Sequence, residues 1–304
     1  MISLPRKFLV LLATAFVACG DAPDLQLGTA RPELATYRDS LATCWTDATC
    51  KRVMAVAHGG EWSVLGAPYD SNAAIAAAFA RGIDGVKIDV RVTRDNVPVI
   101  SHSSPLKLYE SLDCVNKKIE DMLAAEVTAC HRFPSGTETF QRLDTVLDYL
   151  RGKMVAELTV KRSVDYARTI QEVLARHAED YAFLEIDTSE LQTLIPKIAG
   201  SDRVFYLINV ASDLSAIDVL LDTIKNPRAF MVEIDPGVAI GSLVATRLHP
   251  AGVRAFIYDS NGLVTPGQLK GYYDQGFDVV SSNQAKNSLT ARQQVNTARG
   301  VTPP

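Results

Sequence analysis

The sequence lacks three features that would direct it toward common functions. Its 31 lysines and arginines do not outnumber its 35 acidic residues, so the net charge is -4 and no basic face for nucleic acid is expected. Its five cysteines include no Cys-x-x-Cys spacing, which argues against a zinc site. Its main apolar run, Phe8 to Val17, is too short for an ordinary membrane span. Nucleic-acid binding, cysteine-bound zinc and a spanning helix are therefore not expected.

The N-terminal segment has the outline of an export signal. Arg6 and Lys7 precede the apolar run, and Val17-Ala18-Cys19 is similar to a bacterial lipoprotein processing site. We expect residues 1–19 to be a lipoprotein-type signal peptide, with Cys19 becoming the lipidated first residue. An acyl chain would then hold an exported protein to a membrane, facing the periplasm or the exterior. Plain secretion, with cleavage nearby, is the alternative.

The remaining four cysteines form two groups in the sequence. Cys44 is close to Cys50, and Cys114 is close to Cys130. An oxidising compartment favours disulfides, and four cysteines allow three connectivities. Proximity favours the two local pairs. We expect residues 20–51 to be a tether followed by a short disulfide-tied lead-in.

The rest of the chain alternates apolar runs with helical patterns, and 47% of the residues are hydrophobic. This alternation predicts a parallel sheet, and we expect a single α/β domain, a distorted (β/α)8 TIM barrel over residues 52–296. An insertion at 103–140 and a C-terminal tail at 297–304 complete it. Expected strands after the paired runs of 84–102 lie at 154–160, 182–187, 203–210, 229–235, 253–258 and 277–281, with helices between them that include 189–199 and 240–248. Because the strands exceed eight, we interpret 97–101 as an irregular hairpin member.

Side chains that can exchange protons lie at the ends of these strands. His58 follows the apolar run 53–57, and His102 follows the run 97–101. Side chains repeat every second residue along a strand, so Lys87 and Asp89 share one face. Reactive residues of α/β barrels collect at the carboxyl ends of the strands, and histidine exchanges protons near neutral pH. Two histidines at such ends indicate acid-base chemistry.

Three segments carry a resemblance to a known family. They are AHGG at 57–60, PYDSNAAIAAAFARGIDGVKIDVRVTRDNVPVISHS at 68–103, and LDTVLDYLRGKMVAELTVK at 143–161. In order and spacing they resemble the glycerophosphodiester phosphodiesterases, of the wider phosphatidylinositol-phospholipase-C-like group. The resemblance is dense over 53–161 and fades afterwards. It implies a barrel enzyme that cleaves a phosphodiester.

The resemblance also implies roles for individual residues. His58 and His102 match the acid-base pair, one taking a proton from the nucleophile and the other giving one to the leaving alkoxide. Asp89 and Glu157 match ligands of a divalent cation, Ca²⁺ or Mg²⁺, which hard oxygen ligands hold against the phosphate. Lys87, however, stands where the family has a glutamate ligand, and an ammonium repels a cation.

Other positions depart from the family as well. Gly59 replaces an arginine, Pro68-Tyr69-Asp70-Ser71 replaces Pro-Glu-Asn-Thr, Ser103 replaces an aspartate and Thr159 replaces a lysine. Two interpretations remain open. Either the Lys87 ammonium takes the place of the metal and neutralises phosphate charge, or it closes an ion pair in a pocket that no longer catalyses. The second describes a barrel lipoprotein that binds a ligand or partner without turnover.

Further acidic and aromatic residues are weaker candidates. Glu185 with Asp187, and Glu233 with Asp235, each place two carboxylates on one strand face, expected at the mouth or its rim. They could recruit a displaced cation, or Asp187 could cap a helix and Asp235 begin a turn. Substrate-binding aromatics are expected at Trp62, Tyr69 and Tyr258. The expected partners are a small phosphodiester or lipid head group and the membrane, and the protein is expected to be a monomer.

Overall fold

The structure is a computed structural model that describes residues 41–301. The expected signal peptide, Cys19 and the greater part of the tether lie outside the described residues. Among the helices within 41–301, none is both long enough and apolar enough to cross a lipid bilayer.

Nine strands form one sheet, and eight of them are parallel and close into a barrel. The first strand, β1, pairs with both β2 and β9, which closes the ring. The strands are β1 (Met54–His58), β2 (Gly85–Val92), β3 (Pro98–Ile100), β4 (Val155–Val160), β5 (Ala182–Asp187), β6 (Phe205–Ala211), β7 (Ala229–Ile234), β8 (Arg254–Asp259) and β9 (Val279–Ser282). The predicted (β/α)8 barrel is confirmed.

The ninth strand, β3, is the hairpin member that the surplus of strands predicted. It runs antiparallel to β2, with Val90 opposite Ile100 and Val92 opposite Pro98. The hairpin therefore reverses the chain at the carboxyl end of β2. His102 returns to the mouth of the barrel by this route.

Helices connect the strands, in several places less regularly than expected. The α-helices are α1 (Trp62–Leu65), α2 (Asn72–Arg81), α3 (Ala124–Thr128), α4 (Leu143–Leu150), α5 (Tyr166–Ala175), α6 (Thr188–Thr193), α7 (Ser215–Asp218), α8 (Pro266–Asp274) and α9 (Ala285–Ala298). Short 3-10 turns lie at Leu41–Thr43, Ile119–Asp121, Ser163–Asp165, Ile195–Lys197, Ser201–Arg203 and His249–Ala251, and π-helical turns at Val219–Ile224 and Val244–Leu248.

Two expected helices need correction, and one helix was not expected. The helix expected at 189–199 is divided, because Pro196 lacks the amide hydrogen that an α-helix interior needs. The helix expected at 240–248 is only a five-residue π-helical turn, Val244–Leu248. The sequence prediction missed α9, whose apolar pattern is weak, although its buried face covers β1.

The barrel interior changes character along its axis. Its lower layer is apolar, and each strand then places a polar residue one pleat higher, because alternate residues face inward. The lower layer includes Trp45, Met54, Val56, Val155, Phe183, Leu207, Met231, Phe256 and Val279. The next inward positions on β1, β4, β5 and β7 are His58, Glu157, Glu185 and Glu233. Polar chemistry is thus confined to the carboxyl end of the barrel.

The structure contains both local disulfides, Cys44–Cys50 and Cys114–Cys130. The second ties the insertion, which has a small core of its own around Leu106, Ile119 and Phe140. The insertion is therefore an ordered part of the mouth.

A buried ion pair joins the last helix to the base of β1 and β2. The guanidinium of Arg292 on α9 lies 2.6 Å from one Asp84 oxygen, and the other oxygen accepts the Ala55 amide at 2.9 Å. Breaking such a pair leaves a buried charge, so Asp84→Ala should lower the free energy of unfolding by about 3–5 kcal/mol in urea denaturation. Asp274→Ala, which breaks an exposed pair with Lys270, should cost less than about 1 kcal/mol. Equal losses would contradict the assignment.

Candidate active site

His58 ends β1 and is held by Asn283, which follows β9. The two contact at 2.8 Å between His58 Nδ1 and Asn283 Oδ1, while the Asn283 amide nitrogen donates to the carbonyl of Ser260 at 2.9 Å. This second bond sets the orientation of the amide, so the oxygen faces the ring and Nδ1 carries the proton. Tyr258 stacks on the imidazole with centroids 4.3 Å apart. On this assignment Nε2 carries no proton.

Burial and nearby cations keep His58 neutral. Burial, followed by the positive charge of Lys87, lowers the pKa of His58 from 6.5 to about 3. Its ring is nevertheless not fully covered. A neutral imidazole can accept a proton at Nε2 once the hydroxyl of Tyr69, 3.2 Å away, is displaced.

His102 is positioned through its backbone. The buried Glu110 carboxylate accepts the amides of His102 at 2.9 Å and Ser103 at 3.0 Å, and Arg91 donates to the His102 carbonyl at 2.8 and 3.1 Å. The Tyr109 hydroxyl lies 3.2 Å from Nδ1. Burial lowers the pKa of His102, whose ring is partly exposed. The sequence prediction found this histidine but missed Glu110 and Arg91.

Tyr69 lies between the two histidines. Its ring centroid is 5.3 Å from that of His58 and 5.9 Å from that of His102. Its hydroxyl donates to Asp89 Oδ2 at 3.0 Å and lies 3.2 Å from His58 Nε2. A Cβ added to Gly59 would lie 2.1 Å from the Tyr69 ring, so glycine at 59 makes room for tyrosine at 69. The structure thus brings both histidines to one aromatic platform.

The buried Asp89 carboxylate accepts from three donors. One oxygen takes the ammonium groups of Lys87 and Lys161, the latter at 2.7 Å, and the other takes the Tyr69 hydroxyl. Burial alone would raise the pKa of Asp89, but the two ammonium groups outweigh it and hold that pKa well below its usual value. Sequence analysis overlooked Lys161, which lies two and four residues beyond Thr159 and Glu157 and so shares their face.

The remaining predicted residues surround this centre. The Trp62 indole donates to the His58 carbonyl at 2.9 Å and its ring packs edge-on against Tyr69, so it supports the platform. Ser103 contacts the Tyr109 hydroxyl at 2.7 Å. Asp187 caps α6 by accepting the Glu190 amide at 2.7 Å, which matches the capping interpretation.

The family of the chain is shown by its similarity to known proteins. The glycerophosphoryl diester phosphodiesterase family matches residues 67–234, more than half of the chain. The chain belongs to this family. The expected phosphodiesterase class is thereby supported. A search of curated proteins finds no match.

Solved structures show the same fold in glycerophosphodiester phosphodiesterases. An enzyme from Parabacteroides distasonis is 20% identical, with a TM-score of 0.68 over 88% of this chain and 91% of that one. A phosphodiesterase from Oleispira antarctica, solved with the product sn-glycerol-3-phosphate, is 20% identical with a TM-score of 0.61, covering 81% of this chain and 99% of that one. An enzyme from Thermotoga maritima is 18% identical, with a TM-score of 0.59 over 80% and 98%.

A divalent cation does not fit the position that the family resemblance implies. Both Asp89 oxygens already accept hydrogen bonds, and Lys87 stands where another carboxylate is needed. An ammonium and a divalent ion about 4 Å apart repel by roughly 8 kcal/mol at an effective dielectric constant near 20. In this family member the residues around Asp89 suit an ammonium instead of a metal.

A second acidic group lies within the barrel, beside Lys87. Carboxylate oxygens of Glu157, Glu185 and Glu233 lie within 4.8 Å of one another. Thr159 and Asn209 donate to Glu185 at 2.5 and 2.9 Å, whereas Glu157 Oε2 is buried without a hydrogen-bond partner. Burial and the neighbouring Glu185 charge raise the pKa of Glu157 and of Glu233 well above the usual range. Glu157 and Glu233 therefore tend to keep their protons, which reduces the repulsion among the three carboxyl groups. Glu185 and Glu233 point into the barrel at its carboxyl end, the end at whose mouth or rim they were expected.

The state of His58 can be measured directly. We expect the folded ring to stay neutral, with its proton on Nδ1, from about pH 5 to pH 8 in nitrogen–proton correlation spectra. In Asn283→Ala the acceptor at Nδ1 is lost, so the ring should become a mixture of the Nδ1-protonated and Nε2-protonated tautomers. Unfolding restores a pKa near 6.5, so the unfolded chain binds more protons below that pH, and the contribution of His58 to stability is lost as the pH falls. A folded ring that becomes charged near pH 6.5 would contradict this assignment.

Proposed function

We propose that the protein is a phosphoric diester hydrolase that acts on a glycerophosphodiester or a phospholipid head group. The observation that carries this proposal is the convergence of two incompletely buried histidines on Tyr69, directly above the Asp89 carboxylate and its two lysines. A phosphodiester needs a base, an acid and positive charge, and these residues supply all three.

His58 is the general base in this proposal, and His102 is the general acid. Nε2 of His58 takes the proton of the attacking water or substrate hydroxyl as the new oxygen–phosphorus bond forms. The phosphorus–oxygen bond on the opposite side breaks, and His102, which enters the step as the imidazolium, gives its proton to the departing alkoxide. His102 suits the acid role because its ring is partly exposed and its pKa is lowered less strongly than that of His58, so it is the more readily protonated of the two rings. Water as nucleophile gives a monoester, and an internal hydroxyl gives a cyclic phosphate.

Positive charge at the phosphate comes from the two lysines. Lys161, one-fifth exposed, faces the mouth, and the more deeply buried Lys87 lies behind it on the same Asp89 oxygen. Asp89 and the more deeply placed Glu185 balance the two charges, so the attraction for an anionic phosphate comes from Lys161, the ammonium nearer the mouth. We therefore propose turnover that does not depend on Ca²⁺ or Mg²⁺. In this respect the chain would differ from the family pattern, which implies a divalent cation.

The substrate class rests on the family and on chemistry. The Oleispira phosphodiesterase was solved with sn-glycerol-3-phosphate, which is a product of glycerophosphodiester cleavage. We propose the same class of substrate here. We further propose an exported, lipid-anchored protein, which agrees with the two disulfides, because such bonds persist in oxidising compartments.

Replacing either histidine tests the acid-base pair. His58→Ala and His102→Ala should each lower kcat by about 10²–10⁴ on a chromogenic phosphodiester, because each removes one proton-transfer group. His177→Asn is the matched control, since His177 is exposed, follows α5 at the opposite end of the barrel, and has a positive φ that asparagine accepts. Circular dichroism should show unchanged folding. Full activity in both alanine variants would exclude this mechanism.

Lys87 tests the role of the ammonium. Wild-type turnover should be unchanged by a chelator, whereas Lys87→Met should lower kcat by about 10²–10³, since a preorganised charge is lost. Lys270→Met, in an exposed pair on α8, is the control and should change neither rate nor chelator response. Turnover that the chelator abolishes and Mg²⁺ or Ca²⁺ restores would overturn the metal-independent proposal.

One observation favours a second function, a barrel that binds a ligand without turnover. The Tyr69 hydroxyl already contacts both His58 Nε2 and Asp89, so substrate must displace it to reach the base. If Tyr69 remains in place, the pocket is a closed polar network. Absence of turnover together with saturable binding of glycerol 3-phosphate would select this alternative.

A further inference from the structure

Exposed apolar side chains are gathered at the active-site end of the barrel. The described residues include eight large apolar side chains that are exposed, and all but Val219 lie in the insertion or in loops that follow the carboxyl ends of strands. They are Leu108, Tyr109, Leu112, Leu123 and Phe133 in the insertion, Val164 after β4 and Leu263 after β8. Soluble proteins usually scatter such residues, so their concentration at one end indicates an interaction surface.

Leu108, Leu112 and Phe133 form the part of this surface that is best defined, which we call the apolar rim. They are 65%, 44% and 40% exposed. The main chain holds them together, since the Leu112 amide donates to the His131 carbonyl and the Phe133 amide to the Glu110 carbonyl, both at 3.0 Å. The Cys114–Cys130 disulfide ties the same two segments. The rim is therefore presented by a fixed scaffold.

Exposed lysines accompany the rim and favour an anionic partner. Lys107 precedes Leu108, and Lys117 and Lys118 lie beside it, because the Leu106 and Asn116 main chains pair across the loop at 2.9 Å. The insertion also has exposed acids: Asp113 is paired with His131 at 2.7 Å, Glu126 accepts the Leu123 amide at 2.6 Å, and Asp121 lies three residues beyond Lys118. Apolar side chains flanked by lysines suit a membrane surface containing anionic lipid.

The rim is also joined to the active site. Tyr109, next to Leu108, places its hydroxyl 3.2 Å from His102, and Glu110 holds the backbone of His102 and Ser103. If the rim inserts into a bilayer, the mouth of the barrel lies at the surface of that bilayer. We propose that the apolar rim inserts into the interface of an anionic phospholipid bilayer and presents the site to lipid-borne phosphodiesters. The substrate part of this proposal rests on the proposed function, and the surface itself does not.

A local fluorescence probe tests insertion independently of any lipid anchor on the full chain. Phe133→Trp should be quenched by vesicles of phosphatidylglycerol and phosphatidylcholine whose acyl chains carry bromine, beyond the quenching seen in wild type. Val219→Trp, exposed to a similar degree outside the active-site end, is the control and should show no added quenching. Lys117→Gln and Lys118→Gln, added to Phe133→Trp, should each raise the lipid concentration needed for half-maximal quenching by roughly fivefold.

The outcomes separate this proposal from the enzymatic one. Leu108→Ser with Leu112→Ser, added to Phe133→Trp, should abolish the quenching and leave turnover of a soluble chromogenic diester unchanged. Absence of quenching in an enzyme that hydrolyses the soluble diester would overturn the membrane surface alone. Quenching without hydrolysis of the soluble diester would support membrane insertion of the rim and contradict the proposed function. Lipid-free dimerisation that Leu112→Ser abolishes would also overturn the proposal, because the rim would then be a contact between two copies.

Discussion

The buried carboxylate of Asp89 organises the candidate active site. A lone carboxylate at this depth would be strongly destabilised, and the ammonium groups of Lys87 and Lys161 together with the Tyr69 hydroxyl satisfy it. These donors come from β2, from the end of β4 and from the loop before α2. One anionic group therefore fixes the relative positions of three segments at the barrel mouth. His58 is in turn fixed against Tyr69, so the geometry of the base depends on the same contact.

Much of the architecture could be predicted from local pattern. The alternation of Lys87 and Asp89 with apolar neighbours follows directly from the period of a strand, and the strand-end positions of His58 and His102 follow from parallel topology. The hairpin position of β3 could be predicted because a ninth strand has no place in an eight-stranded ring. These features depend on neighbours in sequence, or on a general rule of the fold.

Other parts of the site depend on barrel closure and were missed. Asn283 meets His58 across 225 residues because β1 pairs with β9, and no local pattern marks that contact. Glu110 is one acidic residue in an insertion of irregular structure, and only its contacts distinguish it. Lys161 differs, since its spacing from Glu157 was visible in the sequence. The family resemblance, however, places the lysine of this strand at position 159, where this chain has Thr159.

The residues that depart from the family pattern contact one another in the structure. Gly59 provides the space that the Tyr69 ring fills, and Tyr69 in turn donates to Asp89. Lys87 supplies a positive charge to that same carboxylate, and Lys161, which directly follows β4, supplies a second. These contacts make the pocket one connected polar network around Asp89, with both histidines packed on the ring of Tyr69.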